Sequence, residues 1–489
     1  MRTMKENNKI TPGFYCNGSW SEPFLRDKSF TNINPADGQI IARVRDCSRD
    51  DAKRAIACAA EAQESWEKRT PKERGEFLVK IAREMKNNSE YLAKIITAES
   101  GKPLRESVAE IAYAADFFVW YAEEGKRAYG EIVPANAKDK MRLVMRSPAG
   151  VAGIISPWNF PQAMLTRKLA PALAAGCSVV VKPAEQTPCS AVELFKIIDS
   201  TGLPPGTANL VCTSEPAATG EEFCSNKEIA VISFTGSAQV GKIIIRESAE
   251  NVTKLSLEHG GNAAFVVFAD ADIDLAVKGL MASKFRNAGQ TCICANRIFV
   301  DKEIADEFTK KVQTAVSRLK VGNGIDPLTD IGPLIDREGF EKVENQVKDA
   351  INKKAKCLCG GKRIYPDKSE NAFFYEPCLL TDVDDSMLVF RQETFGPIVP
   401  VALFDNTEDI IKAVNNTDYG LSAYAYTKSL STGFNFARNV KAGIIGINDP
   451  VPSVPECPFG GLKQSGIGRE GGWRGLDEFL ETKYVSVGL

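Results

Sequence analysis

The sequence predicts an α/β protein of two doubly wound parallel-sheet domains, with a small β element set apart from them. Short apolar runs at 151–155, 178–181, 209–212 and 230–234 alternate with amphipathic segments such as 187–199 and 239–250. That rhythm marks parallel strands buried on both faces by helices. It resumes at 263–270 and persists to about Asn448, so a second α/β unit is expected, joined to the first near 258–261. The stretch 132–146 reads as strand, turn, strand, and 479–487 as another strand. Neither has a partner in the α/β rhythm, so both are candidates for pairing between subunits.

The elements before the first sheet follow from capping chemistry. Ser48-Arg49-Asp50-Asp51 starts a helix over the alanine-rich stretch to Trp66. Thr70-Pro71-Lys72-Glu73 is a capping box with proline in the first turn. Its helical pattern is expected to continue to Ser100, where Gly101 and Pro103 stop it. A third helix is expected over 104–124.

Composition narrows the function. The chain has 489 residues, enough for two or more domains with ample cores. Its net charge of −2 balances 61 basic against 63 acidic side chains and leaves no electrostatic footprint for nucleic acid. No basic run suggests a membrane surface. The polar opening 1–18 lacks the apolar core of a signal peptide. No apolar run approaches the roughly 18 residues of a spanning helix. A soluble, cytoplasmic protein is expected. The 13 cysteines are odd in number and scattered, which argues for reduced thiols. The Cys292/Cys294 and Cys357/Cys359 pairs stand closer than zinc thiolates usually do, and the single histidine, His259, offers little support. No metal is expected. One histidine also disfavours Ser-His-Asp and Cys-His schemes, so catalysis needs a different base.

The most informative segment is Phe285-Arg286-Asn287-Ala288-Gly289-Gln290-Thr291-Cys292-Ile293-Cys294-Ala295-Asn296-Arg297. Cys292 follows a helix-like run in a small, polar, turn-forming setting, where a packing cysteine would not sit. Arginine on both sides and the nearby helix end are expected to favour the thiolate, the form that attacks carbonyl carbon. A loop cysteine without chemistry is the plain alternative.

Two formal nucleotide motifs are decoys. Gly466-Ile467-Gly468-Arg469-Glu470-Gly471 fits G-x-G-x-x-G but follows a loop, whereas dinucleotide binding needs strand, turn, helix. The segment 236–242 fits a P-loop until Ile243 replaces the magnesium-binding Ser/Thr, which disfavours a phosphotransferase. Its strand–turn–helix context nevertheless suits a phosphate on backbone amides, or an ordinary βα turn. Lys182 and Glu185 follow a buried strand, at the sheet end where α/β proteins bind ligands. A carboxylate there accepts bonds from both ribose hydroxyls and repels a 2′-phosphate, favouring NAD over NADP; a solvated surface pair is the alternative.

Read together, the chain resembles the NAD(P)-dependent aldehyde dehydrogenase superfamily from Asn34-Pro35 to Lys483. The resemblance rests on Pro157-Trp158-Asn159-Phe160-Pro161, Lys182-Pro183-Ala184-Glu185, Phe234-Thr235-Gly236-Ser237 and Glu258-His259-Gly260-Gly261. It continues through Gly289-Gln290-Thr291-Cys292, Glu393-Thr394-Phe395-Gly396-Pro397 and Pro458-Phe459-Gly460-Gly461. It implies that Cys292 is the nucleophile, that Asn159 and the Cys292 backbone N–H hold the oxyanion, and that Glu258 activates the hydrolytic water. It also implies cofactor contacts at Ser156, Trp158, Lys182, Glu185, Gly236 and Ser237, with Glu393 and Phe395 at the nicotinamide riboside. His259 departs from the family's apolar residue after the base; a neutral, hydrogen-bonded ring is expected.

The implied organisation is a cofactor-binding domain over 1–125, 148–258 and 448–473 and a catalytic domain over 259–447. An oligomerisation hairpin at 126–147 and strand at 474–489 would make a homodimer or homotetramer. Taken singly, Arg167 and Arg286 each read as a structural arginine paired to a carboxylate; together with Ser453 they resemble the succinate-semialdehyde dehydrogenase branch, whose matching residues bind the substrate's far carboxylate. Guanidinium forks suit that group, and a hydrogen bond to a charge contributes roughly 1.5–3 kcal/mol. An acid semialdehyde is therefore expected, with succinate semialdehyde first and glutarate or 2-oxoglutarate semialdehyde as alternatives. A non-catalytic family member is a further one. The branch also raises a redox switch in which Cys294 pairs with Cys292, against the plainer expectation of a second cysteine that is simply buried.

Overall fold

The computed structural model describes residues 10–366, 371–405 and 407–489. The opening 1–9, part of the stretch read above for a signal peptide, lies outside them.

Two helix starts form as capping chemistry dictates. The Ser48 side chain accepts from Asp51 N–H ahead of Arg49–Glu67, and Thr70 accepts from Glu73 N–H ahead of Pro71–Asn87, each closing a capping box. The expected continuous helix to Ser100 is instead broken at Asn88, whose φ of −105° and ψ of 16° leave the helical region. Its side-chain amide donates to Glu84 O, so local bonding to the preceding turn competes with helix continuation. The next helix, Ser89–Ser100, ends at Gly101 with φ 73°, as expected of a glycine stop.

Five parallel strands form the centre of an eight-stranded sheet, in the order Lys254–His259, Ile229–Gly236, Val151–Ile155, Val179–Lys182, Ala208–Val211. Strand order reverses between Val151–Ile155 and Ile229–Gly236, which opens a ligand crevice at their carboxyl ends. The chain then crosses from His259 to Ala263 and begins a seven-stranded sheet in the order Lys356–Cys359, Cys378–Thr381, Ile398–Phe404, Ala295–Asp301, Ala263–Val267, Ser422–Tyr426, Ile444–Ile447. All its pairings are parallel except Lys356–Cys359 with Cys378–Thr381. Each sheet has its own buried apolar core.

The stretches without a parallel partner join in a separate antiparallel sheet, Leu480–Gly488 with Lys140–Pro148 and Glu131–Val133. No helix among the described residues is long and apolar enough to cross a membrane.

Candidate active site

Two cavities meet at Cys292. The larger, about 510 Å³, follows the crevice of the first sheet and is lined by Trp158, Asn159, Gly236, Ser237, Glu258, Cys292, Glu393 and Phe395 among others. The smaller, about 240 Å³, takes in Tyr113, Arg167, Arg286, Cys292 and Ser453. Folding thus gathers most of the expected site residues around one sulfur. Ser156, Lys182 and Glu185 stand just outside the cavity lining. Ser156 N–H donates to Lys182 O, and Lys182 Nζ pairs with Glu185 Oε2 at 3.1 Å.

The Cys292 loop is held by bonds from distant segments. Asn287, Ala288 and Gly289 run through positive φ at 51°, 55° and 78°. Such backbone costs of order 1–3 kcal/mol per non-glycine residue and persists only where its surroundings over-determine it. Here Asn287 N–H donates to Glu106 Oε2 and its side chain to Asn159 O, while Gln290 Oε1 accepts from Ile335 N–H.

The expectation of a favoured thiolate is overturned. Burial pushes the Cys292 thiol well above its ordinary range, Glu258 adds to that, and Arg167 and Arg286 oppose it only in part. Arg297 faces elsewhere, donating to Asn262 O, Ala413 O and Val414 O. Glu258 is also perturbed: burial raises its carboxyl to about 8 against the pull of Lys168 and Arg167. Apart from a weak contact with the Cys292 thiol, neither Glu258 oxygen has a hydrogen-bond partner. A carboxyl and a thiol therefore face one cavity, both mostly protonated near neutral pH, and it is the carboxylate form of Glu258 that can accept a proton.

The Asn159 side-chain N–H donates to Gln290 O at 3.1 Å, which orients the amide on the cavity wall. Glu393 accepts from Gly261 N–H at 3.0 Å, and a Cβ on Gly260 would lie 2.3 Å from its Oε2. Glycine at 260 is therefore what lets this carboxylate in. Trp158 and Phe395 meet edge to face, 5.5 Å between centroids. Ser237 caps the Ala238–Glu247 helix, so that helix start faces the cavity.

Gly466 pairs with Glu258 across an antiparallel bridge, and a Cβ there would lie 2.0 Å from Leu257 O. Lys242 turns to Gln464 Oε1 at 2.9 Å. His259 donates from Nδ1 to Gln464 O, within 2.9 Å, and burial lowers its pKa, so the ring is neutral. Cys294 is buried outside both cavities, its thiol 3.6 Å from Lys284 O.

Three participants escaped sequence reading. Tyr113 accepts from Arg167 Nη2 at 2.6 Å and lies 2.7 Å from Ser453 Oγ. Lys168 and Glu470 form a buried ion pair, and Lys168 also donates to Thr235. Lysine in the wholly buried helix Ala163–Ala175 was a legible signal, like its neighbour Arg167. Glu470 was hidden inside the decoy glycine motif, and nothing local marks Tyr113 on Leu104–Glu124.

Residues 23–485 match the model of the aldehyde dehydrogenase family. The chain belongs to that family. Among its relatives within the family, a protein of Sinorhizobium fredii named as a probable NADP(+) succinate-semialdehyde dehydrogenase is 46% identical over 94% of this chain and 93% of its own. An Escherichia coli protein named as an NADP(+) succinate-semialdehyde dehydrogenase is 43% identical, covering 99% of this chain and all of its own. A crystal structure of succinate-semialdehyde dehydrogenase from Burkholderia pseudomallei superposes with a TM-score of 0.96 at 42% identity, covering both chains completely. A betaine aldehyde dehydrogenase from Staphylococcus aureus, solved with NAD+, shares the fold at TM-score 0.96 and 35% identity over 99% of this chain and 96% of that one.

Proposed function

We propose that this aldehyde dehydrogenase oxidises an acid semialdehyde, succinate semialdehyde first, to the free diacid. The observation that carries the reading is the smaller cavity: Arg167 and Arg286 enter it together, and it ends at Cys292. Arg167 is 2% exposed; its Nη1 stands in an ion pair 3.5 Å from Glu470 Oε2, while its Nε has no hydrogen-bond partner. Buried guanidinium N–H groups left unpaired are costly unless a ligand meets them. A carboxylate satisfies that demand bidentately. The names of the relatives point the same way.

Cys292 Sγ passes its proton to the carboxylate form of Glu258 and attacks the aldehyde carbon. The Asn159 N–H and the Cys292 backbone N–H hold the oxyanion of the resulting thiohemiacetal; one such donor contributes about 10²–10³ in rate. Trp158, Glu393 and Phe395 would hold a nicotinamide cofactor, which would accept the hydride leaving the thiohemiacetal carbon and so leave a thioester on Cys292. Glu258 takes a proton from water, whose oxygen attacks the thioester and expels Cys292 Sγ. Lys168 and Glu470 keep paired charge behind it.

The larger cavity fits a dinucleotide: a helix start with free amides, an aromatic pair and the Glu393 carboxylate converge there. Glu185 at the adenosine end favours NAD, although the two relatives are named for NADP(+). The antiparallel sheet leaves Ile132 at 79% and Tyr484 at 60% exposure, apolar surface suited to a second copy. Light scattering on the purified chain tests that homo-oligomer.

The deciding experiment measures reduced-cofactor formation from succinate, glutarate and 2-oxoglutarate semialdehydes and from neutral aldehydes of equal length. Arg286→Ala is expected to lower kcat/KM for the acid semialdehyde roughly ten- to hundredfold, the equivalent of one charged hydrogen bond. Equal losses on the neutral aldehyde would reject the carboxylate anchor. No turnover by wild type on any aldehyde would leave only a non-catalytic member of the family.

A further inference from the structure

We propose that Cys357 and Cys378 form a reversible disulfide, a second thiol chemistry outside the active site. The edge strand Lys356–Cys359 runs antiparallel to Cys378–Thr381, with a bulge between Cys357 and Cys359. A bulge re-aims a side chain. Here the two sulfurs lie 3.7 Å apart. Bonding at about 2.05 Å needs roughly 1.7 Å of closure, within reach of side-chain rotation on an edge strand.

The surroundings leave that movement free. A Cβ on Gly361 would stand 3.1 Å from Cys378 Sγ and 3.3 Å from Cys357 Sγ, and φ there is 81°. Glycine thus satisfies the turn and keeps the space over the sulfur pair clear.

The two thiols are also unequal. Cys357 is exposed and Cys378 fully buried, so one can meet a reagent and the other can resolve the adduct. The hydrogen bond from Cys378 lowers the Cys357 thiol to about 7, while the same bond and burial push Cys378 up. An attacking thiol is most effective with its pKa near ambient pH. The other close pair, Cys16 and Cys58 at 3.1 Å, offers no exposed thiol, since Cys16 is buried and Cys58 half-buried.

The oxidant is a small-molecule disulfide. Cys357 thiolate attacks one of its sulfurs, forming a mixed disulfide and releasing one thiolate. Cys378 then loses its proton to that thiolate, attacks Cys357 Sγ and expels the second. Two protein thiols are oxidised to one disulfide, and the reagent is reduced to two thiols. Neither strand lines either cavity, so the link forms independently of catalysis.

The test incubates the full chain with oxidised glutathione at neutral pH. Remaining thiols are then alkylated in denaturant without reductant, and the peptides are mapped by mass spectrometry. The expected result is a linked peptide pair joining Cys357 to Cys378, abolished by dithiothreitol. Cys378→Ala should instead trap glutathione on Cys357, and Cys357→Ser should leave Cys378 unmodified and alkylatable. A wild-type adduct that stops at Cys357 would overturn the proposal, as would a Cys357 that stays alkylatable or a link that forms only between Cys16 and Cys58.

Discussion

Arg167 Nη2 donates to the Tyr113 hydroxyl across 2.6 Å. That hydroxyl in turn lies 2.7 Å from Ser453 Oγ, so helices and loops distant in sequence converge on one point of the smaller cavity. Tyr113 therefore fixes the guanidinium in the cavity where the proposed substrate carboxylate would bind.

Tyr113→Phe is expected to raise KM for succinate semialdehyde about five- to tenfold, the loss of roughly one neutral hydrogen bond. Turnover of a neutral aldehyde should stay near wild type. Steady-state kinetics on both substrates check this, and a kcat loss shared by both would instead indicate a general structural effect.

With Glu258 as the proposed base, its titration would set the pH dependence. Its buried carboxyl titrates at about 8, so hydrolysis should rise with pH up to that value and then level off. Glu258→Gln should release one equivalent of reduced cofactor and then slow about 10²–10⁴-fold, leaving acyl-enzyme visible by mass spectrometry.

The same shift has a stability consequence. The folded pKa lies above the ordinary 4.5, so the contribution of the protonated group is fully present below pH 4.5 and is lost as pH rises through about 8. Glu258→Gln should match wild type in Tm at low pH and exceed it increasingly up to about pH 8; thermal melts across that range decide.

Gly260→Ala places a Cβ 2.3 Å from Glu393 Oε2 and must displace that carboxylate. An overpacking cost of about 1–3 kcal/mol and a clear rise in cofactor KM are expected. An unchanged cofactor KM would separate Glu393 from cofactor binding.

Glu185→Ser should shift preference toward NADP by removing a negative charge that opposes a 2′-phosphate. The Lys182 ammonium, now paired with Glu185 at 3.1 Å, would then be free to meet that phosphate. The ratio of kcat/KM for the two cofactors is the readout.

Cys294 faces Lys284 O rather than Cys292, so a bridge between the two cysteines needs the 291–295 turn to open. We expect Cys294→Ala to lose activity to peroxide at the wild-type rate and to recover equally with dithiothreitol. A variant that no longer recovers would establish the switch.

The α/β rhythm, the capping boxes and the Cys292 motif were legible in sequence because each depends on residues within a few positions. Asn88 shows the limit even locally: a helical pattern ran through it, yet bonding to Glu84 broke the helix. Charge states were not legible. Arginines flanking Cys292 in sequence suggested a thiolate, but Arg297 turned away and burial dominated.

Sequence by itself determined the family and the presence of Cys292, Glu258, Asn159, Arg167 and Arg286. Tertiary structure alone decided that Tyr113 and Ser453 meet Arg167, that Glu470 in a decoy motif pairs with Lys168, and that Cys357 lies against Cys378. Desolvation and long-range pairing depend on which segments are packed together, and local residue patterns do not encode that.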